Sequence, residues 1–228
     1  MASIYLIRHG QASFGEADYD ALSDTGVRQS QVLGERLARM LTRPATVTCG
    51  DMLRHRQTAR AAMQAVDMTT EWRTDWRWNE IDHERIIAAH RPEFATHDEL
   101  RREMMKAADP LAAFQSMFES AVTRWIGGEH DSDYTETWPA FRARCREALD
   151  QLVERLPSGT DALVFTSGGP ISSIAMDLLG MPDGGRFSFS IVNCSITKLV
   201  TGKRGITLSS FNGHAHFEGE HAGLLTYR

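Results

Sequence analysis

The chain has 228 residues, of which 42% are hydrophobic and 24% are charged, and its formal net charge is −5. These values are typical of a folded globular protein, and they exclude a disordered or fibrous chain. The negative charge argues against a nucleic-acid or an anionic membrane partner, so a phosphorylated ligand needs a local cluster of arginines.

The cysteines and the first residues bear on where the protein resides. Cys49, Cys145 and Cys194 are odd in number and widely spaced, which favours neither a disulfide framework nor a thiolate metal site. Residues 1–7 lack the basic and apolar segments of a signal peptide, and no stretch approaches the ~20 apolar residues of a membrane span. We therefore expect a cytoplasmic protein, and the oligomeric state stays open.

The first part of the chain alternates apolar runs with helical patterns. Residues 4–7 predict a buried strand that leads into a polar loop. Ser23 and Asp24 offer N-caps for a helix, and a second strand is predicted over residues 46–49. Another helix is expected over residues 52–66. Its predicted buried stripe consists of Leu53, Ala61, Ala62, Ala65 and Val66.

The last part of the chain continues this alternation. A long amphipathic helix is predicted over residues 141–156 and a fully apolar strand over residues 162–165. Residues 167–170 form a Gly-Gly turn that leads into a further helix. Residues 192–200 and 206–211 predict two strands paired as a hairpin. Together these elements indicate a three-layer α/β/α sandwich with a mostly parallel central sheet.

One internal stretch departs from the alternation of strands and helices. Residues 82–136 carry helical patterns over 99–108 and 111–126, and a polar segment closes the stretch. We predict a single domain over residues 1–228, with this stretch as a helical insertion over the C-terminal edge of the sheet.

Chemically active side chains follow several of the predicted strands. Ligands of open α/β sheets bind beyond the carboxyl ends of the strands, where Arg8 and His9 occur. Two arginines, Arg8 and Arg54, can fork onto phosphate oxygens while an unprotonated imidazole acts as nucleophile. The helix N-terminus after Gly169 adds backbone N–H donors. Glu80 is the candidate general acid, provided that burial raises its pKa.

Each of these residues also has a purely structural interpretation. A lone Arg-His-Gly triplet occurs by chance in many proteins, and a single histidine is more often structural than nucleophilic. Arg54 lies near Arg56 and Arg60, which together are compatible with a solvated helix face. Glu80 is compatible with a surface acid, and residues 167–170 with a tight turn that places proline at the first helical position.

Taken together, five segments resemble one known family, the histidine phosphatase superfamily of phosphoglycerate mutase-like proteins. The similarity spans most of the chain and is weakest across the helical insertion. The segments are residues 4–11 (IYLIRHGQ), 22–26 (LSDTG), 53–59 (LRHRQTA), 79–82 (NEID) and 165–171 (FTSGGPI).

This resemblance implies roles for the candidate residues. His9 is then the phospho-accepting nucleophile, Arg8 and Arg54 clamp the phosphate, and Glu80 is the proton donor. Two further side chains, Gln11 and Ser13, are expected to line the pocket. The implied substrate is a small phosphorylated molecule, whose pocket we expect residues 14–20 and the helical insertion to shape.

The chain departs from the family pattern at Ser167, where the family usually has a second histidine. Ser167 and Gly168 are still expected to bind phosphate, but a hydroxyl brings no positive charge. Loss of a comparable transition-state donor costs roughly 3 kcal/mol, about a hundredfold in rate. Either catalysis is slowed, or another imidazole takes this place, and the candidates are His216 and His83. The segment 211–217 resembles a family stretch that has a histidine at the place of His216.

A metal site among the C-terminal histidines is not expected. His214, His216 and His221 lie close in sequence, but no carboxylate or thiolate completes a recognisable ligand spacing. The predicted chemistry needs neither a metal nor an organic cofactor.

Three functions therefore stand as hypotheses. The first is a phosphomonoester hydrolase that works through a phosphohistidine at His9. The second is a mutase that uses the same intermediate but returns the phosphoryl group to a substrate hydroxyl. The third is a non-catalytic module that binds phosphate or a phosphopeptide, which the serine at position 167 motivates.

Overall fold

Apolar residues near the start of the chain form β1 (Ala2–Arg8), an inner strand of a six-stranded sheet.

The computed structural model describes residues 1–13, 20–41, 46–65, 72–94, 96–182 and 190–227. The predicted loop residues 14–19 and Val66 lie outside the described residues. The strands are β1 (Ala2–Arg8), β2 (Thr46–Cys49), β3 (Arg73–Thr74), β4 (Asp161–Thr166), β5 (Ile196–Gly202) and β6 (Gly205–Gly213).

These strands form a six-stranded sheet in the order β3-β2-β4-β1-β5-β6. Strands β1, β2, β3 and β4 are parallel to their neighbours among themselves, whereas β5 runs antiparallel to both β1 and β6. The mostly parallel sheet and its C-terminal hairpin are therefore confirmed. In the register, Arg8 lies opposite Thr166 and Cys49 opposite Phe165, so β1, β2 and β4 end at one edge.

Helices flank the sheet, and its inner strands are buried on both faces. The helices are α1 (Asp24–Met40), α2 (Leu53–Gln64), α3 (His83–His90), α4 (His97–Met104), α5 (Pro110–Ile126), α6 (Trp138–Arg155) and α7 (Gly168–Leu178). Tyr5 and Ile7 belong to one apolar cluster with Leu33 of α1. Ile4 and Leu6 point to the opposite face and are also fully buried.

The start of α1 follows directly from its sequence. Ser23 has extended backbone angles, and its side chain accepts a hydrogen bond from the Gly26 amide, as an N-cap residue does. Gly26 packs so closely that a Cβ there would lie 2.2 Å from the Gln11 carbonyl oxygen. The glycine therefore lets α1 begin against the loop that leaves β1.

One local prediction is right only in part, and another is wrong. On α2, Ala62 is buried as predicted and Leu53 and Ala61 are half-buried, but Ala65 is exposed. The helix also buries Arg54, His55 and Thr58, which apolar periodicity does not mark. The predicted strand over 192–200 begins only at Ile196, because the chain first makes a turn in which Cys194 has a left-handed φ of 58°.

The described residues divide into two compact units, each with its own core. Described residues of 1–80, 145–181 and 190–227 form the first unit, which contains the sheet. Described residues of 81–144, together with residue 182, form the second. In the second unit, Trp125 packs edge-on against Trp138 and Phe141, with ring centroids 5.3 and 5.7 Å apart. This helical unit includes the described residues of 82–136, the stretch in which the sequence does not alternate strands with helices.

The contact between α1 and α2 depends on a glycine. A Cβ added at Gly34 of α1 would lie 2.2 Å from the Ala62 carbonyl oxygen of α2, a contact that no rotamer change relieves. We expect Gly34→Ala to lower the free energy of unfolding by about 3 kcal/mol. Urea denaturation measures this change.

The matched control is Gly223→Ala, because a Cβ there meets nothing within 4 Å and the residue is exposed. That change should alter the free energy of unfolding by less than about 0.5 kcal/mol. Equal stabilities of the two variants would show that the α1–α2 contact does not require a glycine.

Candidate active site

The His9 imidazole sits at the carboxyl end of β1 and is held in one tautomer. Its Nδ1 lies 2.7 Å from the Gly10 carbonyl oxygen, which can only accept a hydrogen bond. Its Nε2 lies 3.2 Å from Nε of Arg54, which can only donate. Both partners therefore require the proton on Nδ1 and a lone pair on Nε2.

Burial keeps this imidazole neutral. His9 is only 6% exposed, and desolvation lowers the pKa of His9 well below its usual value. The positive charges of Arg54 and Arg8 lower the pKa further, and His55 adds to the effect, whereas the bond to the Gly10 carbonyl opposes it. The Nε2 lone pair is therefore available at neutral pH, which is what a nucleophile needs.

Arg54 reaches His9 from the first turn of α2 and is held by an acid that lies between β1 and α1. Its Nη1 lies 2.6 Å from Oδ1 of Asp20, and the other oxygen of Asp20 accepts from the Leu53 amide at 2.6 Å. Arg54 is 4% exposed, so the predicted solvated helix face does not include it. The guanidinium thus bonds to both the His9 imidazole and a carboxylate.

Thr58 connects α2 to the loop after His9. Its hydroxyl donates to the Arg54 carbonyl oxygen at 2.7 Å and accepts from the Gly10 amide at 3.0 Å.

Of the two expected pocket-lining residues, Gln11 accepts from the Ser23 hydroxyl through its side-chain oxygen at 2.9 Å. Ser13 is half-buried, and its amide bonds to the Ala21 carbonyl at 2.8 Å. The loop therefore returns on itself and brings its acid to Arg54.

Arg8 lies in the same region and contacts the C-terminal segment. Its Nη1 donates to the carbonyl oxygens of Ile191 and Tyr227, the latter at 3.0 Å. The buried Asn193 side chain donates to the His9 carbonyl at 3.1 Å and accepts from the Thr226 hydroxyl at 2.8 Å. The end of the chain is thereby tied to the residues that surround the nucleophile.

The N-terminus of α7 forms the other wall of the site. A Cβ added at Gly168 would lie 3.9 Å from both Nε of Arg8 and Oε2 of Glu80, so these groups meet there. The Glu80 carboxylate accepts from the Gly169 amide at 3.1 Å. Ser167 is the N-cap residue, yet its side chain makes no capping bond and instead lies 2.6 Å from Nε2 of His55.

His55 is a second imidazole at the site that the sequence analysis did not identify. It is fully buried, and its ring centroid lies 5.7 Å from that of His9. Burial, and then the charge of Arg54, lower the pKa of His55 well below its usual value. His55 follows Arg54 directly in the sequence, and this adjacency could have identified it. Two consecutive residues in the first turn of α2 both lie at the end of the helix that is near His9.

The structure shows different surroundings for His216 and His83, the two histidines that the sequence proposed as substitutes. Nε2 of His216 donates to the Cys194 carbonyl at 3.1 Å, and burial lowers the pKa of His216 to about 4. His83 is the first residue of α3, in the second unit. Among the described residues, no group of three or more His, Cys, Asp or Glu side chains is placed to hold a metal ion.

The described groups suit a dianion that binds beside the His9 imidazole. Nε of Arg54 lies 3.2 Å from Nε2 of His9, the charge of Arg8 also acts on His9, and a Cβ at Gly168 of α7 would lie 3.9 Å from Nε of Arg8. Asp20 bonds Arg54, and Glu80 bonds the Gly169 amide, as oxygens of a phosphoryl group would. Asp20, Thr58 and Asn193 complete this arrangement. Thr58 belongs to the resembling segment 53–59 and Asp20 to the loop expected to shape the pocket, but no role was predicted for any of the three side chains.

Comparisons with known proteins agree with this geometry. The sequence model of the Histidine phosphatase superfamily (branch 1) matches residues 4–214. A probable phosphoglycerate mutase of Yersinia pestis is 23% identical over 211 residues, which cover 87% of this chain and 85% of that protein.

Solved structures share the fold. The phosphoglycerate mutase of Bacillus anthracis aligns with a TM-score of 0.65 and 17% identity over 94% of each chain. A mycobacterial glucosyl-3-phosphoglycerate phosphatase aligns with a TM-score of 0.62 and 20% identity, over 93% of this chain and 99% of the other.

None of the helices in the described part of the chain is both long and apolar enough to span a membrane.

The lowered pKa of His9 predicts how stability depends on pH. As the pH falls below about 6.5, the unfolded chain takes up a proton at this histidine before the folded protein does. The free energy of unfolding should therefore decrease by about 1 kcal/mol per pH unit between pH 6 and 5 through His9 alone. His9→Asn removes this contribution.

Urea denaturation of the parent and of His9→Asn at pH 7, 6 and 5 measures it. The parent should lose more stability than the variant over this range. Parallel losses in the two proteins would show that His9 takes up protons equally well in the folded and unfolded states.

Proposed function

The chain belongs to the histidine phosphatase superfamily, and from that membership we propose that it hydrolyses small phosphomonoesters through a phosphohistidine at His9. The observation that carries the proposal is the Nε2 lone pair of His9, which Gly10 and Arg54 hold in one tautomer beside two guanidinium groups. A buried, neutral imidazole of this kind is a competent nucleophile.

The first step transfers the phosphoryl group to the enzyme. Nε2 of His9 attacks phosphorus, the bond from phosphorus to the ester oxygen breaks, and Arg8 and Arg54 hold the equatorial oxygens. Glu80 in its protonated form gives its proton to the leaving oxygen. The role is supported by the Glu80 carboxylate, which accepts a hydrogen bond from the Gly169 amide at 3.1 Å, in the first turn of α7.

The second step returns the enzyme to its starting state. Water attacks phosphorus, the bond from phosphorus to Nε2 breaks, and the Glu80 carboxylate accepts a proton from the attacking water. The products are inorganic phosphate and a neutral, unprotonated His9. Neither step uses a metal or an organic cofactor.

A mutase remains the second candidate, supported by the similarity to the probable phosphoglycerate mutase of Yersinia. In that reaction a substrate hydroxyl, rather than water, attacks the phosphohistidine. Incubation with 3-phosphoglycerate and a bisphosphoglycerate primer separates the two. Hydrolysis predicts release of free phosphate, whereas isomer formation without free phosphate contradicts it.

The phosphohistidine should be trapped on one residue. Brief reaction with a ³²P-labelled phosphomonoester, followed by quenching in base, should leave label on the parent protein that acid then releases, as an N–P bond requires. His9→Ala should carry no label and should lose nearly all turnover.

Label on His9→Ala at the parent level would contradict the assignment of the nucleophile. A non-catalytic binding module predicts a different result, in which the parent binds phosphate or vanadate but never carries label.

The role of Glu80 should show in the dependence on the leaving group. Glu80→Gln should lower kcat/KM about a hundredfold for an alkyl phosphate, whose leaving oxygen needs a proton. The loss should be much smaller for p-nitrophenyl phosphate, because nitrophenolate leaves without one.

The exposed Glu84 provides the control, and Glu84→Gln should match the parent on both substrates. Equal losses for Glu80→Gln on the two substrates would exclude Glu80 as the proton donor.

A further inference from the structure

The pairing of His55 with Ser167 has no part in the two proposed steps, yet it lies beside the nucleophile. Both residues are fully buried, and Nε2 of His55 is 2.6 Å from the Ser167 hydroxyl. The Ser167 position follows Thr166, whose carbonyl accepts from the His9 amide at 2.9 Å. The pair is therefore next to His9 at the edge where β1 and β4 end.

The fold makes space for this imidazole at one specific point. A Cβ added at Gly50 would lie 2.2 Å from Nδ1 of His55, so a side chain at position 50 would exclude the ring. The Gly50 amide bonds to the Phe165 carbonyl at 3.1 Å, which fixes this backbone at the sheet edge. A small residue on each side, Gly50 and Ser167, thus accommodates His55.

The Ser167 side chain does not make the hydrogen bond that is usual for an N-cap residue. A serine at this position commonly accepts a hydrogen bond from the amide of the second or third helical residue. Here its side chain makes no such bond, and the Glu80 carboxylate accepts from the Gly169 amide instead. The Ser167 hydroxyl therefore bonds to His55 and does not cap α7.

The burial of the pair decides its hydrogen-bond direction. Nδ1 of His55 is buried without a hydrogen-bond partner in the described part of the chain. A buried N–H donor without a partner costs more than a buried lone pair without one. Nδ1 therefore carries the lone pair, and Nε2–H donates to Ser167 Oγ. The hydroxyl proton of Ser167 is then free to point to another acceptor.

We propose that His55 orients the Ser167 hydroxyl as a hydrogen-bond donor to the phosphoryl group during transfer to and from His9. The inference rests on the proposed phosphohistidine chemistry. Ser167 contacts a phosphoryl oxygen, and His55 is a positioning residue that acts through it. No proton is transferred along the pair, since each group keeps its own hydrogen.

This arrangement supplies a second imidazole from α2 rather than from the residue after β4. The imidazole is neutral, because burial and Arg54 lower the pKa of His55. Its contribution is therefore a directed hydrogen bond and not a positive charge. Such a donor matters most where charge develops in the transition state, so its loss should lower kcat rather than raise KM.

Steady-state kinetics with p-nitrophenyl phosphate tests the pair through both partners. Ser167→Ala and His55→Leu should each lower kcat about a hundredfold, with KM changed by less than about threefold. The double variant should be no slower than the slower single variant to within about twofold, because both changes remove one donor. His55→Gln keeps an N–H donor and should recover at least about tenfold over His55→Leu.

Several outcomes overturn the inference. They are a kcat of His55→Leu equal to that of the parent, losses that multiply in the double variant, or equal rates for His55→Leu and His55→Gln. If His55→Leu fails to fold by its thermal melt, Ser167→Ala decides, because it removes a single oxygen. A Ser167→Ala variant with parental kcat then overturns the inference.

Two controls separate this inference from the proposed function. His9→Ala should be inactive, and if it equals the parent, the proposed function itself fails. An inactive His9→Ala beside a fully active His55→Leu overturns the His55 pairing alone. His130→Leu, at an exposed histidine, should leave kcat unchanged and accounts for nonspecific effects of the substitution.

Discussion

The hydrogen bond between Nδ1 of His9 and the Gly10 carbonyl determines what the rest of the site can do. It keeps the single ring proton of a neutral imidazole on Nδ1, so that Nε2 carries a lone pair directed at Arg54. The β1–β4 register places this ring at the sheet edge, and Thr58 holds the Gly10 amide from α2. Without this constraint, the two arginines would only bind an anion, because no directed nucleophile would face it.

The donor groups around His9 bond to acceptors of the protein itself. Asp20 bonds Arg54, Glu80 bonds the Gly169 amide, and main-chain carbonyls bond Arg8. Each acceptor fixes the position of its donor, and a donor that is already fixed reorganises little when it binds a phosphoryl group. In the proposed mechanism, phosphoryl oxygens take the place of these acceptors, and Glu80 exchanges its bond to the Gly169 amide for proton transfer.

The local features of the fold were predictable from sequence, whereas the contacts across the site were not. β2 and the Ser23 cap depend on adjacent residues, and the structure confirms both. Asp20, His55 and Asn193 bond to residues far away in the chain, and no local pattern indicated those partners, although His55 lies in the segment 53–59 and Asp20 in the expected loop. On α2 the apolar period marked Ala62 but missed Arg54, His55 and Thr58, because these buried residues are polar.

The tautomer of His9 is the most direct test of this account. ¹⁵N NMR of the histidine-labelled protein reports which ring nitrogen carries a proton, and His9→Asn assigns the signal. We expect a His9 ring protonated on Nδ1 alone from pH 8 down to pH 6, because burial and the neighbouring arginines lower the pKa of His9. A ring protonated on Nε2, or on both nitrogens at pH 7, would contradict it.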